Sequence, residues 1–241
     1  MAAMDVLAAA DEGLTIDWEN MPTYNTVMSV AAGSGLLLLS GLGYLLVKRR
    51  PVAFEGWALA FAVLGFILTT TGLHMALTWP LAPEFPFDNI IFGETSLAFG
   101  VMLLGAAFFL WRRGPVLAAE NDAFASLAET FLPLSVFAVG MGLGCFGIAA
   151  AGWRYTLFAA PPEEPISGNF ADYPVLEATF ISMLYVLVGV GAVLLPLVLR
   201  GRRLNAVAWI AGVCWALSGA AFFLFGALNF FTHIGLIVNT M

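Results

Sequence analysis

"ISMLYVLVGVGAVLLPLVL", residues 181–199, is a run of nineteen residues without one charged side chain. As an α-helix, an apolar run of this length matches the thickness of a bilayer's hydrocarbon core. Inside hydrocarbon, only helices and closed barrels satisfy every backbone hydrogen bond, and a barrel strand alternates apolar and polar residues. The run has no such alternation, and it therefore predicts a membrane-spanning helix.

Similar runs recur along the whole chain of 241 residues. Hydrophobic residues make up 61% of the chain and charged residues 10%. A soluble domain is typically about 45–50% apolar and about 25% charged. We predict an all-α polytopic membrane bundle of six transmembrane helices. The spans are predicted at 26–47, 53–78, 90–111, 131–152, 176–199 and 205–230.

Basic residues fall at alternate ends of these spans. Eight of the nine Lys and Arg residues follow spans one, three and five, and Arg154 alone lies on the other side. By the positive-inside rule, the loops after those spans are cytoplasmic and both chain termini face outward. Residues 1–25 then form an acidic extracytoplasmic tail, and residues 26–241 form the six-helix domain. A tag-protease assay that finds the N-terminus in the cytoplasm would contradict this orientation.

The charge distribution also bears on location and partners. The first twenty residues carry five acids and no Lys or Arg, so no cleavable signal peptide is expected. We expect a multi-pass protein of a prokaryotic plasma membrane, in contact with the lipid bilayer. The net charge of −7 disfavours nucleic acid as a partner, because phosphate binding needs clustered basic residues. Other membrane subunits or a second copy of the chain stay open as partners.

A few ionisable residues lie near the outer ends of the apolar spans. At 1.5 Å per residue, His74 lies about 36 Å along its helix from Arg50, and Glu177 lies about 35 Å from Arg200. Both are therefore near the outer boundary of a hydrocarbon core of roughly 30 Å, far from its middle. The same layer contains the other ionisable candidates, which are Asp88, Glu94 and His233.

A metal or redox site at the outer face is one interpretation of this layer. Imidazole and carboxylate together suit transition metal ions, and ligands from several helices can converge inside a bundle. The predicted ligands, from helices 2, 3, 5 and 6 and the turn before helix 3, are His74, Glu94, Glu177, His233 and Asp88. The alternative is that these residues are ordinary polar anchors at the membrane interface.

Three further interpretations stay open. The chain has two histidines, and His74 and His233 could both ligate one b-type haem, with Arg154 near a propionate. An accessory subunit of a larger respiratory or oxidase-type complex would need no site of its own. A small-solute transporter would be expected to place a carboxylate at the middle of the membrane, and no acidic residue falls there.

Glycine and proline positions predict how the helices pack and turn. Gly140 and Gly144 are four residues apart, a spacing that lets two helix backbones approach closely, and the glycines between 33 and 43 suggest a similar face. The turn "WPLAPEFPFDN", residues 79–89, contains three prolines. Because proline fixes φ, we expect this turn to be a stiff cap without regular helix.

"GLHMALTWPL", residues 72–81, and "FDNIIFGE", residues 87–94, enclose that turn. These two segments resemble the signature of a family of bacterial and archaeal polytopic membrane proteins known as domain of unknown function 981. The resemblance is clearest over residues 55–112 and covers the other spans by topology and length. It implies no activity. The family-like positions that it implies are His74, Trp79, Pro80, Asn89, Gly93 and Glu94.

Overall fold

The computed structural model describes residues 16–18, 21, 23–82, 85–201 and 206–241. Within these residues every regular element is helical, and six helices are long and apolar enough to cross a membrane. The predicted all-α fold with six spans is confirmed. The helices are α1 (Asn25–Val47), α2 (Phe54–Thr78), α3 (Pro86–Ala119), the short α4 (Ala123–Phe131), α5 (Ser135–Tyr155), α6 (Pro174–Arg200) and α7 (Ala206–Thr240), with a 3₁₀ turn at Ser167–Phe170. Most of the predicted acidic tail, together with Arg202 and Arg203, lies outside the described residues.

The spans run up and down in turn, which gives the bundle two different ends. The capped end consists, among the described residues, of 16–18, 21, 23–24, 79–82, 85–88, 156–173 and 231–240. The basic end holds the loop after α1 and the C-terminal parts of α3 and α6, with Lys48, Arg49, Arg50, Arg112, Arg113 and Arg200. The first and last parts of the described chain meet at the capped end, where the indole N–H of Trp18 donates to the hydroxyl of Thr240 at 3.0 Å. Which end faces the cytoplasm stays a prediction of the positive-inside rule.

Three pairs of helices have the most extensive contacts, namely α2 with α3, α5 with α6, and α1 with α7. α6 also packs against α7, and this contact joins the second pair to the third. The first and last spans are therefore neighbours. The other two pairs are hairpins that turn at the capped end.

Small residues at a regular spacing hold α2 and α3 close together. The buried positions of α2 alternate four and three residues apart, at Phe54, Ala58, Phe61, Gly65, Leu68, Gly72 and Met75. α3 shows the same spacing at Ser96, Gly100, Leu103, Ala107, Leu110, Gly114 and Leu117. This is the seven-residue period of a coiled coil, with glycine where the two backbones come closest. A Cβ at Gly65 would lie 2.9 Å from the carbonyl oxygen of Gly100, so a larger residue would push the helices apart.

The glycine prediction is confirmed at Gly33 and wrong on α5. A Cβ at Gly33 would lie 2.6 Å from a backbone carbonyl oxygen of α7. Among the described residues, nothing lies within 4 Å of a Cβ built at Gly140 or Gly144. The close contact on α5 is made by Gly142, whose Cβ would lie 3.0 Å from the carbonyl oxygen of Gly189. A four-residue spacing puts two glycines on one face of a helix, but it does not say which face meets a partner.

The turn between α2 and α3 is more regular than its prolines predict. Pro86 occupies the first turn of α3, where its missing N–H costs no hydrogen bond, so the prediction of a cap without helix is wrong from this residue onward. Asn89 is fully buried. Its side-chain oxygen accepts from the N–H of Leu81, and its amide group donates to the carbonyl of Pro86, each at 3.1 Å. A π-helical turn, Asn89–Glu94, follows. Asn89 thus fastens the turn to the start of α3.

α7 extends ten residues beyond the predicted end of its span. Its 35 residues are about 52 Å long, against roughly 30 Å for the hydrocarbon core. The additional length packs against the loop between α5 and α6. The side-chain amide of Asn239 donates to the carbonyl oxygen of Glu163 at 2.7 Å, and Pro165 lies against Gly235. The end of α7 is therefore set by contacts at the capped end and not by the thickness of the membrane.

Candidate functional site

The bundle contains a partly open cavity of about 910 Å³. Its wall is formed by α1, α3, α5, α6 and α7, with α4 at the basic end, while α2 contributes only Phe61 among the described residues. Along α6 the lining runs from Glu177 to Leu199, a distance of about 33 Å by the helical rise. The volume falls within the range of roughly 300–1,000 Å³ found for small-molecule sites. The cavity is also about as long as the hydrocarbon core is thick.

Most of the cavity wall is apolar, and every span that lines it contributes at least one phenylalanine, leucine or alanine side chain. Among the described lining residues, carboxyl, imidazole and carboxamide groups occur only at the capped end of the cavity, which we call its polar end. They belong to Asn25, Asp88, Glu164, Glu177, Asn229 and His233. No Lys or Arg is found among the described residues that line the cavity. The site is therefore a long apolar space with one polar, acidic end.

The loop between α5 and α6 covers the polar end. The ring of Phe158 stacks on Tyr185, with centroids 6.3 Å apart and planes 11° from parallel. The carboxylate of Glu177 accepts a hydrogen bond from the backbone N–H of Ala160 at 2.7 Å, and another from the hydroxyl of Ser167. These contacts hold the loop against α6 on the side of the cavity.

Glu164 reaches the polar end from the same loop. Burial raises the pKa of its carboxyl group above the ordinary value of 4.5. The nearby hydroxyl of Thr232 partly opposes this increase in pKa, and the neighbouring carboxylate of Glu177 adds to it. The two carboxyl groups are therefore close enough for their charges to interact.

Three buried side-chain oxygens at the polar end have no hydrogen-bond partner among the described residues. They are Oδ1 of Asn25, Oδ1 of Asp88 and Oδ1 of Asn229, from α1, α3 and α7. Ser29 on α1 lies against Gly226 on α7. Asn25 is one turn before Ser29, and Asn229 is almost one turn after Gly226. Because the two helices run in opposite directions, Asn25 and Asn229 lie at the same level of the bundle. Buried acceptors in native proteins nearly always have a donor. These oxygens are therefore suited to accept hydrogen bonds from a bound molecule.

The structure brings three of the five predicted metal ligands to the polar end, namely Asp88, Glu177 and His233. His74 lies outside the cavity in a shallow, exposed patch, where its Nδ1 is 2.6 Å from the hydroxyl of Tyr24. Glu94 is exposed and does not line the cavity. Of the five predicted ligands, three therefore line the cavity and two lie on the surface of the bundle.

The metal and haem interpretations gain no support from this geometry. Within the described residues, no group of three or more His, Cys, Asp or Glu side chains is placed to hold a metal ion. His74 lies in the exposed patch and His233 in the cavity, so the two imidazoles do not face one haem. Arg154 is exposed, with its guanidinium carbon 5.5 Å from the ring centre of Tyr155. The helical rise gives only the position of these residues along their helices, and rotation about each helix axis separates them.

The sequence-based site did not include Asn25, Glu164 or Asn229. Asn229 carries the clearest sequence signal, because a carboxamide inside an apolar span is costly without a partner. Glu164 belongs to the loop segment "PPEEP", residues 161–165, which has no periodicity that would place it. Asn25 begins α1, where a polar residue is ordinary at a helix end.

The residues that carry the family resemblance build the α2–α3 turn, and most of them do not reach the cavity. Trp79 ends α2 in the left-handed conformation, with φ at 49°, and its N–H donates to the carbonyl of Met75 at 3.1 Å. Pro80 is buried, and a Cβ at Gly93 would lie 3.0 Å from Cγ of Met75. Together with the hydrogen bonds of Asn89, these features hold the hairpin in one shape.

A bundle of six apolar, membrane-length helices around an internal cavity defines a multi-pass integral membrane protein. The chain matches the family described as "Protein of unknown function (DUF981)" over residues 21–235, and it belongs to that family. The matched region contains α1 to α6 and most of α7. No curated protein and no solved structure matches the chain.

Proposed function

We propose that the protein binds an amphiphilic small molecule, with the apolar part of the ligand in the cavity and its polar group at the polar end. The observation that carries this proposal is a long apolar cavity with three unpartnered, buried oxygens at one end, within the part of the chain that the structure describes. The proposed contacts of the polar group are Asn25, Asp88, Glu164, Glu177, Asn229 and His233.

The apolar wall by itself gives a ligand little preference for the cavity over the bilayer. Lipid chains are as apolar as the side chains of the wall, so moving an alkyl chain from lipid into the cavity removes almost no surface from water. Each hydrogen bond at the polar end contributes about 0.5–1.5 kcal/mol, and about 1.5–3 kcal/mol when one group is charged. Affinity should therefore depend on the polar end, while the apolar wall selects the shape of the ligand.

A panel of amphiphiles with one chain length tests the proposal on the full chain in lipid nanodiscs. The panel contains hexadecylamine, hexadecyltrimethylammonium, hexadecanol and hexadecyl sulfate. At least one member should bind saturably at one molecule per chain, as measured by native mass spectrometry, and should raise the unfolding temperature. This binding would be the direct evidence for a ligand site.

Two variants of α5 provide a matched comparison. Ala138 lines the cavity, so Ala138→Phe should block binding, whereas Ala150 is exposed outside the cavity, so Ala150→Phe should preserve it. If Ala138→Phe does not fold, Ala98→Leu on α3 provides a milder block, because Ala98 also lines the cavity. The proposal is wrong if no member of the panel binds saturably. It is equally wrong if a folded blocking variant and Ala150→Phe bind alike.

A further inference from the structure

We infer that the polar group of the ligand is a primary ammonium, so that the cavity binds a long-chain amine in preference to a neutral or anionic amphiphile. The inference rests on the proposed function, because it specifies the chemistry at the polar end of the same cavity. It is carried by the charge of the lining residues and by the unpartnered oxygens.

The charge of the polar end favours a cation. Asp88, Glu164 and Glu177 bring three carboxyl groups to it from α3, the covering loop and α6. Among the described lining residues, His233 is the only side chain that can gain a positive charge near neutral pH. A sulfate or phosphate group would therefore meet like charge, whereas an ammonium group would be attracted.

The unpartnered oxygens favour a group with several N–H donors. Oδ1 of Asn25, Asp88 and Asn229 are all buried acceptors with no donor in the described part of the chain. A primary ammonium has three N–H donors, a hydroxyl group has one, and a trimethylammonium group has none. Three acceptors from three different helices thus match the donors of an ammonium group better than those of an alcohol.

Burial makes a charged partner more important at Asp88 than at an exposed acid. A buried carboxylate without a partner is unfavourable, because the surroundings replace only part of its hydration. An ammonium group brings both the opposite charge and a hydrogen-bond donor to the same oxygen. Glu94 lies in the same layer of the bundle but is exposed and outside the cavity, so its carboxylate does not require a positively charged partner.

The four amphiphiles in nanodiscs at neutral pH separate charge from hydrogen bonding. Hexadecylamine should bind about 10- to 100-fold more tightly than hexadecanol, which is the ratio expected for hydrogen bonds to charged groups. Hexadecyltrimethylammonium should be intermediate, because it has the charge without the donors. Hexadecyl sulfate should bind most weakly.

Isosteric variants test the assigned residues. Asp88→Asn should weaken hexadecylamine binding by about tenfold or more and change hexadecanol binding by no more than about twofold. Glu177→Gln should act in the same direction, which provides a second test if Asp88→Asn does not fold. Glu94→Gln is the matched control, and it should leave both affinities unchanged.

The outcomes distinguish this inference from the proposed function. If hexadecanol or hexadecyl sulfate binds as tightly as the amine, and Ala138→Phe blocks that binding, the inference is wrong and the proposed function stands. If folded Asp88→Asn and Glu177→Gln both bind the amine as the unchanged protein does, the inference is also wrong. If no amphiphile binds, the proposed function fails, and the inference fails with it.

Discussion

Replacing Gly72 by alanine tests whether the close contact of α2 and α3 sets the stability of the bundle. A Cβ at this position would lie 2.8 Å from the carbonyl oxygen of Gly93 and 2.9 Å from Cα of Leu97, and closer still to the amide nitrogen of Leu97. All three atoms belong to the backbone, so no side-chain rotation can relieve the contact. The helices would have to separate by about one ångström for the closest of these atoms to reach an ordinary distance of 3.4 Å.

The expected magnitude follows from two opposing effects of Gly72→Ala. Overpacking of a tight contact costs about 1–3 kcal/mol, whereas the better helix propensity of alanine returns up to about 1 kcal/mol. Because the neighbouring atoms are all backbone, the cost lies in the upper part of that range, about 2–3 kcal/mol, and the net loss is then about 1–2 kcal/mol in the free energy of unfolding. For a chain of this size, that loss corresponds to a decrease of roughly 2–8 °C in Tm.

Thermal unfolding followed by the fluorescence of the seven tryptophans measures this change. Gly105→Ala on α3 is the matched control, because a Cβ there meets nothing within 4 Å among the described residues. The control should melt at the same temperature as the unchanged protein or slightly above it. The packing argument is refuted if Gly72→Ala and Gly105→Ala melt at the same temperature.

Two further predictions concern the turn and the loop at the capped end. Asn89→Ala should lower the free energy of unfolding by about 1–3 kcal/mol, because the buried N–H of Leu81 loses its acceptor. The exposed Asn169→Ala, measured in the same chemical denaturation series, should change it by no more than about 0.5 kcal/mol, and equal effects would contradict the assigned role. Burial raises the pKa of Glu164 in the folded protein, so the folded state binds the carboxyl proton more tightly than the unfolded chain does. The contribution of Glu164 to stability should therefore decrease as the pH rises from its ordinary pKa of 4.5 through the higher folded value. Glu164→Gln should remove that part of the decrease in a series of melting temperatures from acid to neutral pH, and curves that stay parallel for the two proteins would rule it out.

The existence of the six spans could be predicted from sequence because the requirement is local. A segment such as residues 181–199 must satisfy its own backbone hydrogen bonds in hydrocarbon, and only its composition and length decide whether it does so. The ends of the spans depend on more distant contacts. α7 continues to Thr240 because its last residues pack against Trp18 and the loop that contains Glu163.

The candidate site shows the same division between local and distant information. The positions of His74, Asp88, Glu94, Glu177 and His233 along their helices follow from 1.5 Å of rise per residue. The direction in which each side chain points around its helix axis does not follow from that rise. That direction depends on which face of the helix is buried, and on α2 and α3 the buried positions follow a heptad pattern of small and apolar residues.

The sequence by itself therefore determined the class, the number of spans and one layer rich in ionisable residues, because each depends on composition and on distance along a helix. Only the tertiary structure decided which members of that layer face one another. In that structure, Asp88, Glu177 and His233 line a cavity together with Asn25 and Asn229, whereas His74 and Glu94 lie outside the cavity. The physical reason is that helix packing sets the rotation of each helix, through contacts such as those of Gly33, Gly72 and Gly142 with backbones far away in the chain.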